Sequence, residues 1–204
     1  RPIDVTVANP STDIPIEVFG LGTTEAKVVS RVGFEAAGTI LQLNADMGDR
    51  VATGAVLALL DSREQEAKVE QARASVVQME AAIRQADAAV ERAQVSLRQK
   101  MQINERRQEL LRQAATSREA AEEAQAAYEM ALADFAQSQS AADVARANLQ
   151  QAKALLLVEE ARLNKYALHA PFDAVVVTRS RELGAMVNPG EAIFTLVDPA
   201  TTWV

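Results

Sequence analysis

The chain of 204 residues has no cysteine, which removes disulfides, thiolate metal sites and cysteine nucleophiles from consideration. Redox compartment stays open, because cysteine-free chains serve cytosol and periplasm alike. Aromatic residues are scarce, at 4% against 49% hydrophobic overall, and alanine is abundant. That balance favours long helices packed through small side chains over a thick globular core. A basic surplus is missing too: the net charge is −7 and the isoelectric point near 4.9, which argues against binding nucleic acid over a broad face. No run approaches the ~20 apolar residues that span a bilayer. Arg1 opens the chain with neither an initiator methionine nor a signal-peptide pattern, so a mature piece or fragment is expected, with any anchor upstream.

Catalytic groupings are equally sparse. The single histidine, His169, precedes Ala170-Pro171 and has no nearby acid partner or serine elbow, so a structural role is expected. One imidazole without thiolates makes no recognisable metal site. Gly20-Leu21-Gly22 lacks the helix and the third glycine of a dinucleotide loop. No catalytic residue, bound cofactor or metal is expected, and the chain is not expected to be an enzyme.

Another absence is local. From Ser62 to Tyr166 there is neither glycine nor proline, although the chain holds eight and six of them. Inside a helix these residues cost ~1 and ~3 kcal/mol, so their exclusion predicts uninterrupted helix. Val69, Val76, Ile83, Val90 and Leu97 recur at every seventh position, followed three places later by Ala72, Met79, Ala86 and Ala93. This is a heptad seam. A second seam runs through Ala121, Tyr128, Phe135, Ala142, Leu149, Leu156 and Leu163, with Ala124, Ala131, Ser138, Ala145 and Ala152 beside it.

Between the seams the pattern changes. Continuing the first by sevens reaches Asn104, whereas the apolar residues there are Ile103 and Leu110, which reads as a register break. Around Ala114 to Ser117 the pattern stops, and Thr116 with Glu119 reads as a capping box opening a second helix, with Glu122 and Glu123 adding negative charge. Ser62 with Gln65 reads as a capping box for the first. Two arms of about fifty residues, at ~1.5 Å per residue, predict an antiparallel hairpin about 75 to 80 Å long. A parallel dimer of one continuous helix is the alternative; the break and the caps count against it.

The flanks repeat each other. Gly38 to Asp61 and Asp173 to Asp198 each hold a β-branched run, a glycine turn, a second glycine six residues on, and an apolar strand that closes on aspartate. The paired glycines are Gly48 with Gly54 and Gly184 with Gly190. Either half alone is a small sheet with an open apolar face, so one half is expected to pack on the other as a flattened sandwich. Ile3, Val5, Val7 and Ile14, Ile16, Val18 alternate as further strands outside the repeat.

Paired half-motifs of this form resemble biotinyl/lipoyl carrier domains. A carrier presents one modifiable lysine on a tight turn between its halves; here Lys68 and Lys165 fall within the helices instead, so lipoylation and biotinylation are not expected. A lipoyl domain split by a helical hairpin resembles the HlyD-like periplasmic adaptor (membrane fusion protein) family over nearly the whole chain. Ala170-Pro171-Phe172-Asp173 is similar to that family's opening of the second half, with Ala174 where glycine is usual.

The resemblance implies an α+β fold: a flattened lipoyl-like β-sandwich split by a long antiparallel coiled-coil hairpin, with incomplete β-barrel strands at the termini. The expected divisions are 1–28 for barrel strands, 29–61 for the first lipoyl half and 62–166 for the hairpin, with its tip at about 113–118. The second lipoyl half is expected at 167–198 and the start of a missing barrel, with Trp203 as a core position, at 199–204. It also implies a periplasmic location, an inner-membrane anchor outside this chain, and a homo-oligomer such as a hexameric ring. The expected partners are an outer-membrane channel at the tip and an inner-membrane pump of RND or ABC type through the missing parts, for drug efflux or type I-like secretion.

At the tip, Arg106, Leu110 and Ser117 are similar to the motif with which such adaptors meet the channel. Charge agrees with a contact there: Met101 to Arg118 holds four arginines against Glu105 and Glu109, a local +2 that leaves −9 elsewhere. Arginines near a helix C-terminus also complement its dipole without any partner. A carrier domain of an enzyme complex and a purely structural coiled coil remain the other two functions compatible with the residues.

Overall fold

The computed structural model describes residues 1–6, 19 and 25–203. Five strands precede the hairpin: β1 (Glu25–Ala26), β2 (Val29–Val32), β3 (Gly38–Leu43), β4 (Arg50–Val51) and β5 (Val56–Leu60). Two helices follow, α1 (Arg63–Arg112) and α2 (Arg118–Asn164). The chain then returns through β6 (Ala167–His169), β7 (Ala174–Arg179), β8 (Met186–Val187), β9 (Phe194–Val197), a 3₁₀ turn at Pro199–Thr201, and β10 (Thr202–Trp203).

The sandwich has two four-stranded antiparallel sheets, in the orders β2-β9-β7-β4 and β6-β5-β3-β8. Each sheet takes two strands from before the hairpin and two from after it. The expectation that one half packs on the other is therefore corrected: the halves exchange strands, so neither sheet exists without both ends of the chain. The exchange is reciprocal at the repeated glycines. Gly48 N donates to Val176 O at 2.8 Å and Gly184 N to Ile40 O at 2.9 Å; Gly54 N donates to Ala170 O at 2.8 Å and Gly190 N to Phe34 O at 2.9 Å. Gly48 and Gly184 hold φ of 93° and 80°, a region that a side chain disfavours, so the turns that deliver these bonds select glycine.

Alternation along the strands fills the space between the sheets. Phe194 and Leu196 of β9 point inward and are fully buried with Phe34, Ile40, Leu57, Leu60, Val176, Val187 and Ile193. Successive residues Leu57 and Ala58 are both buried, which strict alternation forbids; the β5–β6 register slips between Val56 and Ala58 and turns both inward. Burial of each large aliphatic side chain contributes about 1.5–3 kcal/mol.

The arms run antiparallel, since α1 positions pair with ever earlier α2 positions. Gln65 meets Glu159, Asp87 meets Arg146, and Asn104 meets Gln125. Val69, Val76, Ala121, Ala124, Ala131, Ala142 and Ala152 are the buried apolar seam residues. Three local expectations change. Ser62 makes no capping bond; at ψ 2° its hydroxyl donates to Glu66 instead (2.6 Å), and Gln65 is drawn into the seam. Ser117, not Thr116, caps α2, its extended ψ of 153° aiming Oγ at Ala120 N (3.2 Å). The seam also does not shift at Ile103, which is 36% exposed; Asn104, Gln108 and Leu111 carry it on, half-buried.

At the termini β1 pairs with β10, the register placing Glu25 opposite Trp203. Of the strand expected from Ile3, residues 1–6 carry no strand, with Ile3 and Val5 largely exposed. A strand persists only where a neighbour takes up its backbone hydrogen bonds, and no described sheet includes those residues. Val7, Ile14, Ile16 and Val18 lie outside the described residues.

Candidate functional site: the hairpin tip

α1 ends in a tight reversal. Ala115 N donates to Leu110 O (2.8 Å) and Ala114 N to Leu111 O (3.0 Å), the paired bonds of a Schellman termination. The residue that must turn left-handed is Ala114, at φ 53°. Ser117 then opens α2, so the polypeptide reverses within the five residues 113–117 between the helices.

The expected contact residues fall on both sides of this turn. Arg106 is exposed on α1 and Leu110, one turn nearer the tip on the same face, is half-buried. Leu110 also supplies the carbonyl that closes the turn. Ser117 is exposed, and its hydroxyl is committed to the cap of α2. Of the four tip arginines only Arg112 forms an ion pair among the described residues, with Glu109. Glu109 is held below the usual carboxylate range by hydrogen bonds from Gln113 and Arg112. Arg106, Arg107 and Arg118 form no ion pair among the described residues. Pairing of the arms nevertheless sets Glu105, Glu119, Glu122 and Glu123 among them, so positions 104–125 hold four arginines against five glutamates and the tip is not net positive.

Just below the turn lies a polar layer that the sequence pattern presented as a break. Asn104 Nδ2 donates to Gln125 Oε1 across the arms (2.7 Å), and Gln108 Nε2 reaches both Asn104 Oδ1 and Ala121 O (3.4 Å each). Such a layer fixes register at some cost in stability. Beside it a groove of about 200 Å³ is lined by Ile103, Ala120, Ala124 and Ala127, with Lys100, Arg107 and Glu123 as its charged members.

Elsewhere the residues secure the frame. His169 Nδ1 lies 3.0 Å from Gly54 O, a structural bond to the opposite half. Asp173 Oδ1 accepts from Thr53 N (2.7 Å) and Thr53 Oγ1 (2.8 Å), and those bonds, backbone first, hold its pKa below the usual value. Thr53 carries no pattern of its own, so only the paired sheets disclose this clamp. Lys68 sits in α1, paired with Glu64; Lys165 is the residue just past α2 rather than within it, and pairs with Glu35. No group of three or more metal-ligating side chains is assembled among the described residues. No helix among them is long and apolar enough to cross a membrane.

A strand-exchanged sandwich opened by a coiled-coil hairpin is the architecture of membrane fusion proteins, the periplasmic adaptors of efflux systems. The chain belongs to the family of CzcB-like barrel-sandwich hybrid domains, whose model matches residues 24–198. A stretch of 71 residues is 37% identical to the pyoverdine export membrane fusion protein PvdR of Pseudomonas putida, covering 35% of this chain and 18% of that protein. The crystal structure of MacA from Actinobacillus actinomycetemcomitans superposes with a TM-score of 0.70 at 23% identity, covering 89% of this chain and 52% of that one. The periplasmic adaptor protein EmrA aligns over 88% of this chain and 74% of its own, with 17% identity and a TM-score of 0.47. The chain thus spans about half of MacA (52%), and its match to PvdR under a fifth of that protein (18%).

Proposed function

We propose that this chain is the spacer and ring-forming portion of a periplasmic adaptor that links an inner-membrane transporter to an outer-membrane channel. Residues 29–61 and 167–198 form the ring, residues 62–166 the spacer, and the tip docks on the channel through Arg106, Leu110 and Ser117. The observation that carries the reading is the tip itself: a tight turn flanked by three arginines that form no ion pair among the described residues, at the far end of a rod ~75 Å long. Guanidinium groups free of intramolecular ion pairs suit an acidic or carbonyl-lined surface. Ser117 contributes chiefly by holding the turn's shape, whereas Arg106 offers its guanidinium outward. The protein's work in this reading is geometric: copies stand side by side, and cargo passes between them.

Cysteines placed at positions 106 and 110, crosslinked in cells that carry the cognate channel, test the docking. Adducts with the channel from these positions and none from position 144, on the exposed flank of α2, are expected. Equal adducts at all three, or none, would sink the tip assignment. An unmodified intact mass is expected for the native protein; a lipoyl or biotinyl adduct on lysine would instead favour a carrier domain.

A further inference from the structure

A second site lies at the other end of the hairpin. Between the open edges of the two sheets, where α2 re-enters the sandwich, is a cleft of about 520 Å³. This is within the size range of small-molecule sites. β2 is the outermost strand of one sheet and β6 of the other, and both border it.

Backbone hydrogen bonds decide which peptide groups face the cleft. Val28, Val32 and Phe34 give their carbonyls to Asp198, Ile193 and Gly190, so alternation turns the peptide groups of Arg31 and Gly33 to the open side. On either side of β6, Tyr166 and Ala170 bond to Leu60, Gly54 and Ala55, which leaves Ala167 and His169 facing outward. Amide donors, each with a carbonyl acceptor of the same residue beside it, therefore border one space from two strands.

Its charge is positive in an otherwise acidic chain. Arg31 and Lys165 border it with the single acid Glu35, which lies 3.4 Å from Lys165; Arg31 has no ion-pair partner among the described residues. His169 is tied through Nδ1 to Gly54 O, leaving its other ring nitrogen uncommitted, and Asn164 adds an amide. Val32, Ala161 and Pro171 make part of the wall apolar.

We infer that this cleft binds small amphiphilic carboxylates, the head group on Arg31 and the outward backbone N–H groups, the chain on the wall of Val32, Ala161 and Pro171. The site is independent of the tip and makes no use of channel docking. Three probes separate the contributions: octanoate has both features, octanol lacks the charge, and inorganic phosphate lacks the chain.

Titrated into the isotope-labelled chain at low salt, octanoate is expected to shift the amide signals of Arg31, Gly33 and His169 saturably, while octanol and phosphate leave them in place. Arg31→Ala should weaken octanoate about tenfold. Glu35→Gln should tighten it by releasing Lys165, a gain that misfolding cannot imitate. No saturable shift, equal shifts from octanol or phosphate, or unchanged affinity in both variants would overturn the assignment.

Discussion

A Cβ placed on Gly33 would stand 1.9 Å from the carbonyl oxygen of Glu191. The backbones approach this closely because bonds on either side pull them together, Gly190 N to Phe34 O and Ile193 N to Val32 O. The obstacle is main chain rather than a flexible side chain, so it cannot step aside. Gly33→Ala is therefore expected to destabilise the sandwich by about 1–3 kcal/mol. Its melting temperature should fall while the hairpin's helical circular dichroism persists at low temperature. An unchanged melting temperature would contradict the packing described.

Ala114 supports the reverse expectation. It holds φ 53° with a side chain attached, where glycine would relieve about 1 kcal/mol. Ala114→Gly should raise the denaturant midpoint of the hairpin without altering the helix content. A lower midpoint would show that the turn's stability comes from the alanine methyl rather than from the backbone bonds.

Asp61 provides a pH dependence. Its pKa falls from 3.8 to about 2, first through the side-chain hydrogen bond from Arg63, then the backbone one. A carboxyl depressed on folding contributes stability that is fully present above its unfolded value and disappears as pH falls through the folded one. Urea midpoints of the native chain and Asp61→Asn should thus differ by a constant amount at neutral pH, begin to converge below about pH 4, and coincide only once the pH is below about 2. A difference that stays constant down to pH 2 would exclude this ion pair as its source.

Gln65 shows where reading the residues met its limit. In sequence it completes a capping box with Ser62; in the fold it is 5% exposed, and its amide spans the arms to Glu159 O (3.0 Å) and Oε2 (2.8 Å). A local motif weighs only nearby backbone groups, whereas a buried amide must be satisfied by whatever lies opposite, and that partner is 94 residues away. Asn104 repeats the lesson. A polar residue at a seam position looked like a break in register, yet Gln125 on the other arm answers it.

The heptads, the glycine-free middle and the repeated glycine turns determined by themselves that two long helices would pair between two matching β segments. Those signals are periodic, and periodicity follows from the geometry of single elements. Which strands join which sheet, which polar side chains bridge the arms, and where Arg31 and His169 come to share a cleft were decided only by the tertiary structure. Such pairings depend on contacts between residues far apart in the chain, whose free energy appears only once both partners have left water together.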